Sequence, residues 1–456
     1  MLKSYVKTAI RTLLKSRIFS TINIFGLAIG MASTLLIAHY VKFERSYERH
    51  YANAENIYRI TLDLYNDGEF VVNDCETYQT LGPEFKAEMP EVLDFARFFH
   101  LGTSEIYVPA SDTRNYEHLI YFADASAFTL FDYNIKFGDP AAAFDKPHKV
   151  LVNESIANKY FGRSDIIGER IEIGSRDTPF EVVGVMEDLP QNTHLKFDIL
   201  ISHNTIPKIW SWYEKYPWGG NNEYTYLLMD PNANLKAFNT KLEEYSLGND
   251  KMEDEIIIAE KITTIHLYSN KTFEPEVNGS AQTVNFMVII AIFILLLAWV
   301  NYVNLSTSKA LERAKEVGVR KVVGSSKGQL VGQFIFDSFL VNFLAAVLAF
   351  TLVQMSIPYF KNLTGQDLPS SILAEPQLML LLTLMILLGT LVSGLYPAIV
   401  LSSFKPVSVL KGKFTNSAKG LLLRKGLVTF QFLTTVVLLS VSLAVYFQVQ
   451  YLSDTD

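Results

Sequence analysis

The chain has 456 residues, 49% of them hydrophobic, with 40 Lys and Arg against 47 Asp and Glu and a net charge of −7. That balance gives no footing for nucleic acid, and a single cysteine, Cys75, excludes an internal disulfide or a cysteine-held metal. The averages would fit a large soluble protein; their distribution does not, because the apolar residues gather into five long runs.

The first run, 19–41, holds no formal charge and only His39 as a titratable group, and it follows a basic patch of Lys3, Lys7, Arg11, Lys15 and Arg17. The pairing imitates a signal peptide. Its apolar stretch is too long, however, and no small-x-small site precedes Lys42, so it reads as an uncleaved anchor. Gly26, Gly30 and the Ala32-Ser33 pair give this run a small-residue face suited to close helix packing. Runs 284–306, 334–357 and 378–401 follow, with Asp337 their only acidic or basic residue, and 427–446 is the fifth. A hydrocarbon core of ~30 Å needs about 20 helical residues, so all five are predicted to span a bilayer.

The long segment between the first two runs, 42–283, carries 22 Lys and Arg against 40 Asp and Glu, whereas the rest of the chain has 18 against 7. The basic excess falls in three short patches: the N-terminus, 308–330, and Lys405, Lys411, Lys413, Lys419, Arg424 and Lys425. Short basic loops stay in the cytoplasm while a long domain is translocated whatever its charge. The pattern therefore places the N-terminus, 308–333 and 402–426 inside, and 42–283 and 358–377 outside.

Within 42–283 the patterns mix strand and helix. Residues 57–64 alternate apolar and polar as a half-buried strand does. Residues 149–152 read as a short strand, after which Asn153 caps a helix over 154–161 that Gly162 ends. Residues 170–173 and 180–186 pair around a turn at 174–179; a helix is expected over 235–247 and a strand over 255–262. The Trp, Gly and Asn of 210–222 mark a lobe boundary.

Segment 308–330 sets six cations (Lys309, Arg313, Lys315, Arg320, Lys321, Lys327) against Glu312 and Glu316. Leu311, Ala314, Val317 and Val319 recur at roughly helical spacing, which predicts a short amphipathic helix inside a loop at 308–333. A structured cytoplasmic helix between spans is a handle for a partner. Just before it, Asn301 and Asn304 lie one turn apart; they either contact a neighbouring helix or cap near the headgroups. Asp337 is either a costly charge inside the membrane or an N-terminal helix charge favoured by the dipole. Pro397 is expected to kink or break the fourth span.

No catalytic constellation is present in the sequence. The glycines 318 and 324 with Lys327 miss the Walker A spacing, in which the Lys follows the second Gly directly. The eight histidines form no His-x3-His pair, and no nucleophile elbow occurs. Energy must come from another polypeptide.

These residues resemble a known family. One span, a large outer domain and three further spans are similar to the MacB/FtsX-type permeases of ABC transporters, which include the lipoprotein-releasing LolC and LolE. The most specific piece is Glu312-Arg313-Ala-Lys-Glu316-Val-Gly318-Val-Arg320-Lys321-Val-Val-Gly324-Ser325-Ser326, which resembles the family's cytoplasmic motif. Residues 393–398 and 404–412 resemble the end of the FtsX-like domain. Residues 122–131, 138–140, 154–162, 167–168, 182–185 and 190–194 resemble the MacB-type periplasmic core.

The resemblance implies a polytopic α-helical membrane protein with a large α+β extracytoplasmic domain between spans one and two. It sits in the bacterial inner membrane with its N-terminus cytoplasmic. Expected domains are 1–41 with the first span, 42–283 as the periplasmic core, 284–412 as the FtsX-like domain, and 413–456 as the start of a second repeat. That last expectation rests on an echo between 17–25 and 424–432 and on likeness to long, duplicated permeases of Bacteroidota, of which this chain looks like the N-terminal part.

The mechanism implied is transmission. A separate cytoplasmic ABC ATPase docks on Glu312, Arg313, Glu316, Gly318, Arg320, Lys321, Gly324 and Ser325. The spans move through contacts at Gly26, Gly30, Asn301 and Asn304, and the periplasmic domain responds. Efflux of peptides, antibiotics or other amphiphiles is the leading reading; lipoprotein release or envelope signalling is the alternative. Expected partners are the ATPase, membrane lipid, a periplasmic adaptor or outer-membrane channel, and a second FtsX-like unit in a dimer or pseudo-dimer. No cofactor, metal, catalytic residue or nucleic acid is implied.

Overall fold

The computed structural model describes residues 2–174, 179–364, 373, 375–403 and 418–455. They divide into a sheet unit, Phe43–Ala281, and a helical unit, Met1–Lys42 with Gln282–Asp456. The chain opens with α1 (Leu2–Lys15) and α2 (Arg17–Glu44). The sheet unit begins with β1 (Ile57–Asn66), β2 (Glu69–Asp74), β3 (Thr77–Tyr78), α3 (Leu81–Glu88) and β4 (Val92–His100). Next come β5 (Ser104–Val108), β6 (Thr113–Glu117), β7 (Ile120–Ala123), α4 (Ala127–Phe131), β8 (Ile135–Gly138) and α5 (Pro140–Ala143). They lead to β9 (Lys149–Asn153), α6 (Glu154–Phe161), β10 (Arg170–Ile173), β11 (Pro179–Met186) and β12 (Ile199–Ser202). The unit closes with α7 (Ile206–Ile209), α8 (Ser211–Lys215), β13 (Asn221–Met229), α9 (Leu235–Leu247), β14 (Glu255–Lys261) and α10 (Ile262–Tyr268). Four long helices complete the helical unit: α11 (Ala281–Val322), α12 (Lys327–Thr364), α13 (Pro376–Ser403) and α14 (Ala418–Thr455).

One mixed sheet runs through the unit in the order β14-β1-β13-β4-β7-β12-β9-β11-β10-β5-β6, with β2, β3 and β8 branching from it. The two ends have their own cores. Ile60, Phe85, Leu227 and Phe238 fill one, and Ile106, Val150, Ile171 and Ile201 fill the other. Between them β4 pairs with both β13 and β7, so the sheet is continuous across the middle. The expected boundary at 210–222 is therefore only one of two passages between the ends; the chain also crosses after β4.

Local chemistry explains the elements. Asn153 accepts the Ile156 amide at 2.8 Å as the N-cap of α6, and Gly162 closes that helix in the left-handed region at φ 66°. β10 and β11 pair antiparallel; residues 175–178 of their connection lie outside the described residues. β1 departs from its half-buried expectation, because Arg59 and Thr61 are as buried as Ile60. Both find partners: the Arg59 guanidinium lies 2.7 Å from Glu260 and 2.6 Å from Glu274, and the Thr61 hydroxyl donates to the Ile258 carbonyl. A buried charge is tolerated only when paired in this way.

Elsewhere in the sheet unit a second charged group is tied down. Burial alone would raise the Asp124 carboxyl, but the charges of His203 and Arg97 and hydrogen bonds from Arg97 hold it down at about 2. Burial pushes the Cys75 thiol well up, so it is an inert core residue.

Among the described residues of the helical unit, five helices are long and apolar enough to cross a membrane: Arg17–Glu44, Ala281–Thr307, Lys327–Asn362, Pro376–Leu395 and Lys425–Gln448. α13 continues through position 397 to Ser403, so the fourth span is not broken at Pro397. Residues 404–417 lie outside the description, and with them the 404–412 part of the FtsX-like motif.

Candidate functional site

Segment 308–333 is not a loop carrying a short helix. α11 is a single helix of 42 residues that runs from the second span through the cationic segment to Val322. At 1.5 Å per residue it is about 63 Å long, roughly twice the hydrocarbon thickness. The reason is propensity: after the apolarity ends, Leu, Glu, Arg, Ala and Lys continue to favour helix, and nothing before Gly324 stops it. α12 then begins at Lys327, seven residues before the apolar run.

The connection between these helices is four residues, 323–326, and it is capped from both sides. Gly324 has φ +101°; its amide donates to the Lys321 carbonyl at 3.1 Å, and the Ser325 amide to the Arg320 carbonyl at 3.0 Å. This pair of bonds is a Schellman closure, which places a glycine at the left-handed position. On the other side the Ser326 hydroxyl accepts from the Gln329 amide at 3.3 Å. The Gln329 side-chain carbonyl accepts from the Ser326 amide at 3.0 Å, which makes a capping box. Arg320 ties the two arms, its guanidinium donating to the Gln333 side-chain oxygen.

Burial splits the valines of this segment. Val317 is 4% exposed, but Val319, Val322 and Val323 are 52%, 65% and 82% exposed. Val319 is therefore off the stripe that Val317 belongs to, as a two-residue step of about 200° on a helix requires. The result is a stiff turn with an apolar tip beside Arg320, Lys321 and Lys327. Behind it Thr12, Val317, Arg320, Leu330, Gln333, Phe334 and Asp337 line a cavity of about 20 Å³, enough for about one water. Asp337 thus sits ten residues inside α12, where the terminal dipole no longer acts; the expectation of an N-terminal helix charge fails because α12 starts early.

Residues 20–245 match the model of the MacB-like periplasmic core domain, and residues 288–406 that of the FtsX-like permease C-terminal. The chain belongs to the MacB/FtsX-type permeases. It is similar to the macrolide export ATP-binding/permease protein MacB of Bdellovibrio bacteriovorus, at 22% identity over 57% of this chain and 38% of that protein. It is also similar to the MacB of Neisseria gonorrhoeae, at 23% identity over 42% of this chain and 28% of that protein. The chain thus spans well under half the length of these relatives. The crystal structure of the periplasmic region of MacB from Actinobacillus actinomycetemcomitans aligns with 45% of this permease and 89% of that chain, at 13% identity and a TM-score of 0.33.

The permease carries the expected site residues in two separate places. Glu312, Arg313 and Glu316 are on the α11 backbone, and their side chains lie outside the described residues. Gly318 is buried inside α11, while Arg320, Lys321, Gly324 and Ser325 gather at the turn. Deeper in the helical unit, α2 meets α11. A Cβ added at Gly30 would lie 2.6 Å from the Ala298 Cβ, and one at Gly26 would lie 3.6 Å from the Asn301 amide nitrogen. The buried Asn304 side-chain atoms make no hydrogen bond among the described residues.

The sequence reading missed a polar knot between α12 and α13. Asn342 is fully buried; its amide donates to the Ser338 carbonyl at 2.9 Å and to the Ser393 hydroxyl at 3.3 Å. Gly389 faces it, since a Cβ there would meet the Asn342 oxygen at 2.4 Å and the Trp299 ring nitrogen at 2.8 Å. The signal was available as Ser338 and Asn342 at i and i+4 inside an apolar run. The Ser326-x-x-Gln329 capping box was equally legible. Among the described residues, no group of three or more His, Cys, Asp or Glu is placed to hold a metal.

Proposed function

We propose that this permease takes force from a separate cytoplasmic ABC ATPase at the α11–α12 turn and delivers it to the periplasmic core, in a cycle that expels peptides, antibiotics or other amphiphiles. The N-terminus and the turn then face the cytoplasm. The carrying observation is a turn locked by a Schellman closure and a capping box that nevertheless leaves Val319, Val322 and Val323 uncovered among cations. Such a tip is rigid enough to transmit a push, and its apolar centre with a charged rim is the usual make-up of a protein contact. α2 and α11 are the two chain connections to the sheet unit, so movement at the turn has a direct covalent route. The export function in the names of the relatives supports efflux, and the missing Walker spacing in this sequence supports a partner that holds the nucleotide.

The test is co-purification of the full chain with its cognate ATPase. Val323→Glu puts a charge in the middle of the tip and should weaken association by about 30-fold, the size of one interface hot spot. Glu316→Lys should also weaken it, by reversing a charge in the motif. Gly324→Ala meets open space but strains φ +101°, and should cost about 1 kcal/mol of turn stability. Binding and stimulation of the ATPase by Val323→Glu and Glu316→Lys at the unmodified level would remove the turn from the mechanism.

A further inference from the structure

We infer that two copies of this chain pair through the free edge of the sheet at β6, strand against strand and antiparallel, across a two-fold axis at Asn115. The two ends of the sheet are treated differently. β14 forms one end, and side chains of α9 close it. The Asn239 oxygen accepts from the Ala259 amide at 2.8 Å, the Asn239 nitrogen donates to the Ala259 carbonyl at 3.1 Å, and the Ser246 hydroxyl accepts from the Ile257 amide at 3.0 Å. An open edge is a template for another strand, which is why proteins blunt edges in this way. β2, on its branch beside β1, is blunted too, by a bulge at Leu64/Tyr65 and by Thr272, whose amide donates to the Asn73 carbonyl at 2.9 Å. β6 forms the other end of the sheet and, among the described residues, carries neither device.

The register shows which groups β6 leaves open. The Gly174 amide donates to the Glu105 carbonyl at 2.8 Å, so the main chain of Glu105 turns toward β10. Main-chain groups alternate sides along a strand. Ser104, Ile106 and Val108 therefore turn toward β6, where they stand opposite Glu117, Asn115 and Thr113. Those three are bonded inward. The N–H and C=O of Arg114 and Tyr116 point away from β5, and no group among the described residues bonds to them. Open groups on two residues about a central Asn115 are self-complementary. With Asn115 facing its own copy, Arg114 stands opposite the copy's Tyr116, and each such pair exchanges both of its hydrogen bonds. All the open groups of both strands are then satisfied, and Asn115 forms the closer, non-hydrogen-bonded pair between them.

The side chains fit the same register. The Arg114 guanidinium lies 3.9 Å from the centre of the Tyr107 ring and 3.7 Å from Glu105, and Tyr116 is 67% exposed. The two-fold brings the copy's Tyr116 to the open side of that guanidinium, which then lies between two rings. Charge selects this edge over the rest of the surface. Residues 42–283 carry 22 Lys and Arg against 40 Asp and Glu, so two copies repel over most of their area. In the β6 register no carboxylate stands opposite another, because Glu117 faces the copy's Thr113. α6 leaves room for the pairing. The Ser111 hydroxyl donates to the Tyr160 carbonyl at 3.3 Å, so the end of α6 lies by the turn of the β5–β6 hairpin, and the copy's α6 lies at the opposite end of the pair. Five residues of pairing are weak alone, but two copies held in one membrane meet at high effective concentration. What docks at the α11–α12 turn does not enter this inference.

The experiment uses the full chain in nanodiscs large enough for two copies, with Asn115→Cys as the reporter. Cys75 is buried and does not compete. Paired Cα atoms about 4.5 Å apart fall within the disulfide range of about 4.4–6.8 Å, so mild oxidation should give a covalent dimer on a non-reducing gel. Thr113→Cys is the register control. Its own copy lies four residues out of register, about 14 Å away, so its dimer should form about 10-fold more slowly. Tyr116→Pro removes an outward N–H that this chain does not use, and proline is tolerated at such an edge position. Added to Asn115→Cys, it should cut dimer formation several-fold while the circular dichroism stays unchanged. Mixed Arg114→Cys and Tyr116→Cys chains report the same register should Asn115→Cys fail to yield a monodisperse protein. Equal rates for Asn115→Cys and Thr113→Cys overturn the proposal, as does a rate for Asn115→Cys that Tyr116→Pro leaves unchanged. A thiol at position 115 that forms no dimer and is masked only by an added extended peptide assigns the edge to a foreign strand and overturns it as well.

Discussion

The sheet unit and the helical unit bury polar side chains by opposite means. The sheet unit buries charges and joins them across elements apart in sequence, Arg59 to Glu260 and Glu274 and Arg97 to Asp124 at 2.9 Å, and it hydrogen-bonds the buried Glu48 carboxyl to the His194 ring at 2.9 Å. The fully buried polar residues described in the helical unit are Ser, Thr, Asn and His39. Most of these turn back on their own helix. Asn23 donates to the Phe19 carbonyl, Thr34 to Gly30, Asn342 to Ser338 and Thr390 to Ile386, each four residues earlier. Two of them also reach a neighbouring helix, Thr34 to the Ala291 carbonyl at 3.2 Å and Asn342 to the Ser393 hydroxyl at 3.3 Å. A bond inside one helix survives when that helix slides, whereas a buried ion pair between strands does not survive their separation. The difference makes the sheet unit a stiff body and the spans a set of elements that shift at small cost.

The largest break in that comparison should come from Arg59→Met. It leaves Glu274 buried without its cation and Glu260 with only Lys271 at 3.3 Å, and losing one partner of such a network costs about 3–5 kcal/mol. Denaturant unfolding of the full chain, followed by tryptophan fluorescence of the sheet unit, measures it. A loss below about 1 kcal/mol would mean that the network is not what stiffens the unit. Gly30→Val tests the other side. Its Cβ collides with Ala298, and overpacking of this kind costs about 1–3 kcal/mol. The Thr34 hydroxyl meets the Ala291 carbonyl of α11 at 3.2 Å, and the helices should relieve the clash by parting there, which keeps the cost at the lower end of that range. Disulfide trapping between cysteines at 34 and 291 should fall sharply at the same time. A cost as large as that of Arg59→Met, with trapping unchanged, would show the spans to be as rigid as the sheet.

What the sequence showed of this architecture depended on whether a signal was local. The α6 cap at Asn153 and its Gly162 stop were legible because each is one side chain acting on the nearest backbone. The five spans were legible because hydrophobic length is additive along the chain. The end of α11 lies beyond its apolar run because helix propensity does not depend on apolarity. Taking the start of the apolar run as the start of α12 sets that start seven residues too late, which is what makes the terminal reading of Asp337 available beside the intramembrane one. Arg59 falls on the polar side of the 57–64 alternation, and its carboxylate partners are some two hundred residues away, where no local pattern announces them. The turn was found by its charge and motif, yet its exposed valines appear only once α11 has a defined phase.

The smallest effect concerns a place where the sheet unit departs from its own rule of pairing. Burial raises the Glu76 carboxyl, and the nearby charge of Asp74 raises it further, to about 7, against a lowering hydrogen bond from Tyr224. Burial raises Asp74 as well. A carboxyl whose folded pKa lies above its unfolded value binds its proton more tightly when folded, so its contribution to stability is complete below the unfolded pKa. For Glu76 that contribution is present below about 4.5 and is lost as pH rises through about 7. Asp124, held down at about 2, has the opposite sign and acts only in stronger acid. The denaturation midpoint of the sheet unit should therefore fall as pH rises between those two Glu76 values. Glu76→Gln should flatten that slope, leaving the parts due to Asp74, Asp198 and Glu255, whose carboxyls burial also raises. A slope unchanged in Glu76→Gln would place the titration on other carboxyls and return this corner to the paired rule of the rest of the unit.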